Sequence, residues 1–160
     1  MIATYNLNDQ VRTAYSDGLN TKYLAGTFAP FLQSKIAVGG TEKLVSSSGE
    51  TNVYTAAQSA AATGPQFNGI KFGSGTANGG VTLTFQAGTG INKVVVGCAA
   101  WASPVTDTLT VNGVIITPTQ GGVSATVEAI EFTFADTDTI TITTTKRIVI
   151  NYIAIYHVAA

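Results

Sequence analysis

Charge is what this sequence has least of. Asp, Glu, Lys and Arg make up 11% of its 160 residues, against about 25% in an ordinary soluble domain. The cations Arg12, Lys22, Lys35, Lys43, Lys71, Lys93, Lys146 and Arg147 are scattered among acids. They form no stripe able to neutralise a run of phosphates, which argues against nucleic acid as a partner. Cysteine is reduced to Cys98, so no internal disulfide exists and nothing requires an oxidising compartment. Histidine is reduced to His157. One imidazole and one thiol are too few for a metal site of the His or Cys type, and a serine or threonine nucleophile has almost no base to draw on. No stretch approaches 18 uninterrupted apolar residues, so no membrane-spanning helix is expected. The opening residues, Met1 to Gln10, have neither a basic nor an apolar signal region, and the expectation is synthesis in the cytoplasm without a signal peptide. No phosphate-loop motif is present, and no cofactor is expected.

What fills the space is threonine, glycine and β-branched aliphatic residues. From Val81 onward the pattern has period two. Val81-Thr82-Leu83-Thr84-Phe85, Ile130-Glu131-Phe132-Thr133-Phe134 and Thr139-Ile140-Thr141-Ile142-Thr143 each place Ile, Val, Leu or Phe on one face. Ile91 to Trp101 and Arg147 to Val158 are apolar on both alternating sets, as in central strands covered on both faces. In the last of these, Ile148, Ile150 and Tyr152 form one set against Val149, Ile153 and Ile155. Thr108-Leu109-Thr110-Val111 meets Val114-Ile115-Ile116-Thr117 through Asn112-Gly113, the pair favoured in a type I′ hairpin. Short strands are also expected at Asn52–Thr55 and Gly69–Phe72, with loops at 46–49 and 73–80. Hairpins without helical crossovers predict a mostly β fold, an antiparallel β-sandwich or jelly roll.

Residues 1–45 lack this alternation. They carry a short helical signal over Asn8–Tyr15 and an aromatic supply in Tyr5, Tyr15, Tyr23, Phe28 and Phe31. The sequence therefore divides into an N-terminal arm, 1–45, and a β-sandwich domain, 46–160. The rings either pack back on the chain's own sandwich or anchor it to a partner.

Seven residues carry the remaining chemistry. Trp101, where a strand runs into a loop, is either a plug at the sandwich end or a platform on which a sugar stacks. Asp136 and Asp138 share a strand face and form a weak calcium candidate, although Asp is favoured in such a turn anyway. Glu128 and Glu131, three apart, point to opposite faces of a strand. A pocket gathering Asp107, Glu128 or His157 would be needed to revive catalysis, and no enzymatic activity is expected.

Four segments, Ile91-Asn92-Lys93-Val94-Val95-Val96, Thr108-Leu109-Thr110-Val111-Asn112-Gly113, Asp138-Thr139-Ile140-Thr141-Ile142 and Lys146-Arg147-Ile148-Val149-Ile150-Asn151-Tyr152-Ile153, occur in a telling order. Over Gly69 to Tyr156 the chain resembles the jelly-roll domains, similar to carbohydrate-binding modules, of bacteriophage virion proteins and bacterial surface proteins. That resemblance implies a virion structural role as head fibre, decoration protein or tail component, with other virion proteins and copies of itself as partners. It also keeps open a glycan-binding adhesion module, while low charge keeps open a self-assembling filament or shell subunit. On the arm reading, a chain lacking residues 1–40 is expected to keep a folded β-domain and to lose its place in assemblies.

Overall fold

The computed structural model describes residues 1–7, 28–34, 36–37, 40–56, 64–67 and 69–160. Among these lie twelve strands and one short helix. In chain order they are β1 (Ala3–Asn6), α1 (Phe28–Gln33), β2 (Ile36–Ala37), β3 (Leu44–Thr51), β4 (Val53–Ala56), β5 (Gly69–Phe72), β6 (Gly79–Phe85), β7 (Ile91–Ala100), β8 (Leu109–Val111), β9 (Val114–Ile116), β10 (Glu128–Thr137), β11 (Thr139–Thr144) and β12 (Ile148–Tyr156). They form two antiparallel sheets packed as a sandwich, the fold class that the alternation predicts. The five-stranded sheet runs β3-β6-β11-β8-β9.

The seven-stranded sheet is organised around β12. One edge of β12 pairs with β7, from Ile148↔Ala100 to Tyr156↔Lys93. Its other edge is shared end to end. The first half pairs with β5 through Ile148↔Phe72, Val149↔Lys71 and Ile150↔Ile70. The second half pairs with β1 from Tyr152↔Asn6 to Ile155↔Ala3. Beyond these lie β4 on β5, β2 on β1, and β10 on β7.

Between the sheets lies one core, to which Leu83, Ile91, Val94, Val96, Leu109, Phe132, Ile140, Ile142, Ile148, Ile150, Ile153 and Ile155 contribute fully buried side chains. Burying an aliphatic or aromatic side chain of this size contributes about 1.5–3 kcal/mol. The outward positions of the five-stranded sheet are hydroxyls in register, with Thr139 opposite Thr84 and Thr141 opposite Thr82.

Three expectations are revised. The expected loop at 46–49 is the middle of β3, whose serines pair with β6. The expected face assignment in β12 fails at Asn151. Ile150 is opposite Cys98 and Tyr152 is opposite Gly97, so Asn151 is an extra, bulged residue. Its carbonyl accepts a hydrogen bond from the Leu7 amide at 2.8 Å. Because side chains alternate with a strict period of two, one extra residue exchanges the faces beyond it. Ile148, Ile150, Ile153 and Ile155 therefore all face the core, and Val149, Tyr152, Ala154 and Tyr156 take the outer face.

The division expected at residue 45 meets continuous structure, because β1 is an interior strand of the seven-stranded sheet. Among the proposed anchor residues, Tyr5 and Phe28 are fully buried in this core. Phe28 meets Phe72 edge to face at 6.0 Å, and Phe31 packs against the core half-buried. The Tyr5 hydroxyl donates to Glu42 at 2.8 Å, and burial, followed by that carboxylate, raises its pKa. Tyr15, Tyr23 and the helical signal at 8–15 lie outside the described residues.

Removing residues 1–40 strips β1 from β12, so the truncated chain is expected to lose cooperative unfolding instead of leaving an intact domain. Tyr5→Ala is expected to cost about 3–5 kcal/mol, the scale of a large buried ring. Denaturant unfolding of both variants checks this, and a truncation with wild-type stability would contradict it.

Candidate functional site

The outer face of the seven-stranded sheet carries the aromatic and charged side chains that the core does not use. Tyr54 on β4, Lys71 on β5, Trp101 after β7, and Tyr152 and Tyr156 on β12 all project there. Tyr152 stands over Gly97 of the neighbouring strand, and a Cβ at that position would overlap its ring. Only glycine lets the ring lie this close to the sheet. Burial raises the Tyr152 pKa, and the nearby Tyr156 phenol adds to the effect.

At the Tyr156 end the face opens into a cavity of about 360 Å³ lined by Asn92, Lys93, Glu131, Thr133, Phe134 and Val158. Lys93 reaches across it. Its ammonium is 3.5 Å from the Glu131 carboxylate and 4.7 Å from the Tyr156 ring centre. An exposed ion pair of this kind contributes little stability, so these polar groups are available to a ligand at low cost. Asn92 forms the end wall. Its side chain donates to Asp136 at 3.0 Å and to the Val158 carbonyl at 2.9 Å, and it accepts from the Val158 amide at 2.7 Å, tying the chain's last residues to the sheet.

Trp101 sits towards the other end of the same face. It is 8% exposed and packs with Val149 and Phe67, while Gly64 lies against the indole, where a Cβ would be 2.6 Å from it. Arg147 and Lys71 approach the ring at 4.9 Å and 5.1 Å from its centre. As a free stacking platform the indole is therefore pre-empted, whereas Tyr54, Tyr152 and Tyr156 on this face each keep accessible surface.

The calcium candidate is placed differently again. Asp138 accepts from the Gly88 and Gly90 amides, both at 2.9 Å, and these bonds hold its pKa below the usual carboxylate value. Asp136 accepts from Asn92 and stands 3.8 Å from His157, whose Nδ1 is 2.7 Å from the Gly90 carbonyl oxygen. The two aspartates thus brace the turn between β6 and β7. No cluster of metal-ligating side chains occurs among the described residues.

His157 and Glu128 lie at opposite ends of the sheet. Glu128 is level with Cys98 and bonds the Thr119 and Gln120 amides at 2.7 Å and 3.2 Å. His157 lies beside Gly90, eight residues along from Cys98, so about 26 Å of strand separates the two, and they do not converge. Cys98 is fully buried, which pushes its thiol pKa up to about 12, with Glu128 adding to the shift. No described helix is long and apolar enough to cross a membrane.

A second hollow, of about 350 Å³, lies on the outer face of the five-stranded sheet among Thr51, Asn78, Thr82, Thr110, Thr141 and Thr143. No aromatic ring or charged group lines it. Several of its hydroxyls are already engaged, Thr82 with Thr141 at 3.3 Å and Thr144 with the Lys146 carbonyl at 2.8 Å. It offers less to a ligand than the face across the sandwich.

No protein-family model matches the chain, and no curated protein matches it. Two solved structures resemble it. One is described as a peptidoglycan O-acetylesterase in action, with TM-score 0.49 and 23% identity over 94% of this chain; the chain spans only 38% of that protein. The other is the carbohydrate-binding module CBM36 in complex with calcium and xylotriose, with TM-score 0.38 and 14% identity over 74% of this chain and 91% of that one. Neither likeness is close enough to carry a ligand or a site residue across.

Two measurements follow from the aspartate brace. Millimolar calcium is expected to leave the melting temperature unchanged, and a rise would show that the carboxylates do bind metal. Because its folded-state pKa is lowered, Asp138 contributes its full stabilisation above the ordinary value of 3.8 and loses it as the pH falls through the lowered pKa. Asp138→Ala is therefore expected to narrow its stability deficit against the wild type as the pH drops from 5 to 2.5, read from urea midpoints.

Proposed function

We propose that this chain is a non-catalytic carbohydrate-binding module that lays an oligosaccharide across the outer face of its seven-stranded sheet. The observation that carries this reading is the cavity lined by the Lys93–Glu131 pair and the apolar Phe134 and Val158, with the Tyr156 ring beside it, 4.7 Å from the Lys93 ammonium. A sugar presents an apolar C–H face and a rim of hydroxyls. Tyr156 and Tyr152 serve the first, while Lys93 and Glu131 donate to and accept from the second. The two tyrosines are four residues apart on one strand, hence about 13 Å along the face, so a ligand contacting both spans more than one sugar ring.

The virion reading drew on an aromatic arm free to anchor elsewhere. With Tyr5 and Phe28 buried in the chain's own core, that observation no longer favours it, and a virion location and virion partners have no support from the comparisons. The filament or shell reading rested on low charge and on strand edges with few lysines to block pairing, and it names no ligand that the cavity beside Tyr156 would hold.

The test is a glycan array followed by titration of the best ligand. Tyr156→Ala is expected to weaken binding about tenfold, or 1.4 kcal/mol, with an unchanged melting curve. Thr141→Ala, in the hollow of the other sheet, is expected to leave affinity unaltered. The reverse pattern, or no glycan bound at all, would contradict the proposal.

A further inference from the structure

At the far end of this face from the Tyr156 cavity, two cations share the Trp101 ring, and neither has an ion-pair partner among the described residues. Lys71 lies between two rings, its ammonium 5.0 Å from the Tyr54 centre and 5.1 Å from that of Trp101, and Arg147 shares the Trp101 ring at 4.9 Å. Among the described residues the ion pairs are Lys93–Glu131 and His157–Asp136, and neither involves Lys71 or Arg147. The sequence around them is equally bare, with no Asp or Glu anywhere from Thr51 to Thr106, a stretch that supplies β4 to β7 and Trp101.

This arrangement is costly for the free protein. Two like charges on one ring repel, and partial burial removes water that would otherwise screen them. Burial, and then the Arg147 charge, lower the Lys71 pKa accordingly. Cation–π attraction of about 0.5–2 kcal/mol per pair offsets part of the cost. An incoming anion would offset the rest. Because the rings already hold both side chains in place, little conformational entropy remains to be lost on binding. Guanidinium presents paired N–H donors that match the two oxygens of a carboxylate or sulfate, and the ammonium adds a point charge beside it.

We propose that Lys71 and Arg147 receive a negatively charged group on the glycan, the carboxylate of a uronic acid or a sulfate ester. This rests on the carbohydrate-binding reading and specifies its ligand as acidic. From Ala99, which pairs with Val149 beside Lys71, to Lys93 at the cavity is six residues along β7, about 20 Å. A ligand of several sugars would reach from the anion site to the tyrosines.

Titration calorimetry with two matched polymer pairs tests this. Polygalacturonate against its methyl ester reports on carboxylate, and a sulfated galactan against its desulfated form reports on sulfate. One acidic polymer is expected to bind at least about tenfold more tightly than its neutral partner, with the difference shrinking in 1 M salt, where screening reaches about 3 Å. In the double variant Lys71→Gln/Arg147→Gln, the charged-to-neutral affinity ratio is expected to fall to about one. The charge-conserving pair Lys71→Arg/Arg147→Lys should keep a ratio above one, which separates lost charge from lost packing. Equal affinity for charged and neutral polymers in the wild type would overturn the acidic preference while leaving the module reading intact. Binding to none of the four, with no other glycan bound on the array, would overturn both.

Discussion

Everything in this molecule depends on the pairing of β12. It is hydrogen-bonded along both edges, to β7 on one side and to β5 and β1 in tandem on the other. Its inward residues, Ile148, Ile150, Ile153 and Ile155, are fully buried in the core. The strand fastens the first residues of the chain to the last, since β1 has no place in the seven-stranded sheet except beside β12 and β2. It also supplies the outer face with Tyr152 and Tyr156. Stability and the proposed site thus share one element.

The bulge at Asn151 is what lets β12 do both. Without the extra residue, strict alternation would place Tyr152 on the same face as Ile148 and Ile150, and Ile153 and Ile155 outside. With it, two tyrosines emerge on the face that also carries Trp101, Lys71 and Lys93, and four isoleucines stay in the core. The glycine opposite, Gly97, makes room for the Tyr152 ring. A backbone irregularity next to a small residue therefore turns a structural strand into the floor of the proposed binding face.

Much of the fold was legible from residue order because it rests on local chemistry. The Asn112-Gly113 turn has positive φ at both residues, 47° and 82°, as the dipeptide implies. Gly69–Phe72 is a strand with the bounds expected. Alternating Thr and Ile told the two faces of β11 apart. The serine-rich β3 was missed because its pairing, not its side chains, makes it a strand. The bulge was missed because both alternating sets of β12 are apolar, so a frame shift leaves no trace in the pattern. The site was less legible still. Trp101 and the Asp136/Asp138 pair stood out by residue type, yet the structure uses the first to hold two cations and the second to brace a turn. Tyr152, Tyr156, Lys93, Lys71 and Arg147 come from three separate stretches, and only sheet register brings them to one face.

The central claim is that the outer face of the seven-stranded sheet is where a glycan binds. Backbone amide NMR of the labelled protein, titrated with the oligosaccharide that binds best, tests this directly. The account predicts shifts concentrated on β12, β7 and β10 around Tyr152, Tyr156, Lys93 and Glu131, with the amides of β6 and β11 unmoved. Shifts centred on the threonine rows of the five-stranded sheet would contradict it.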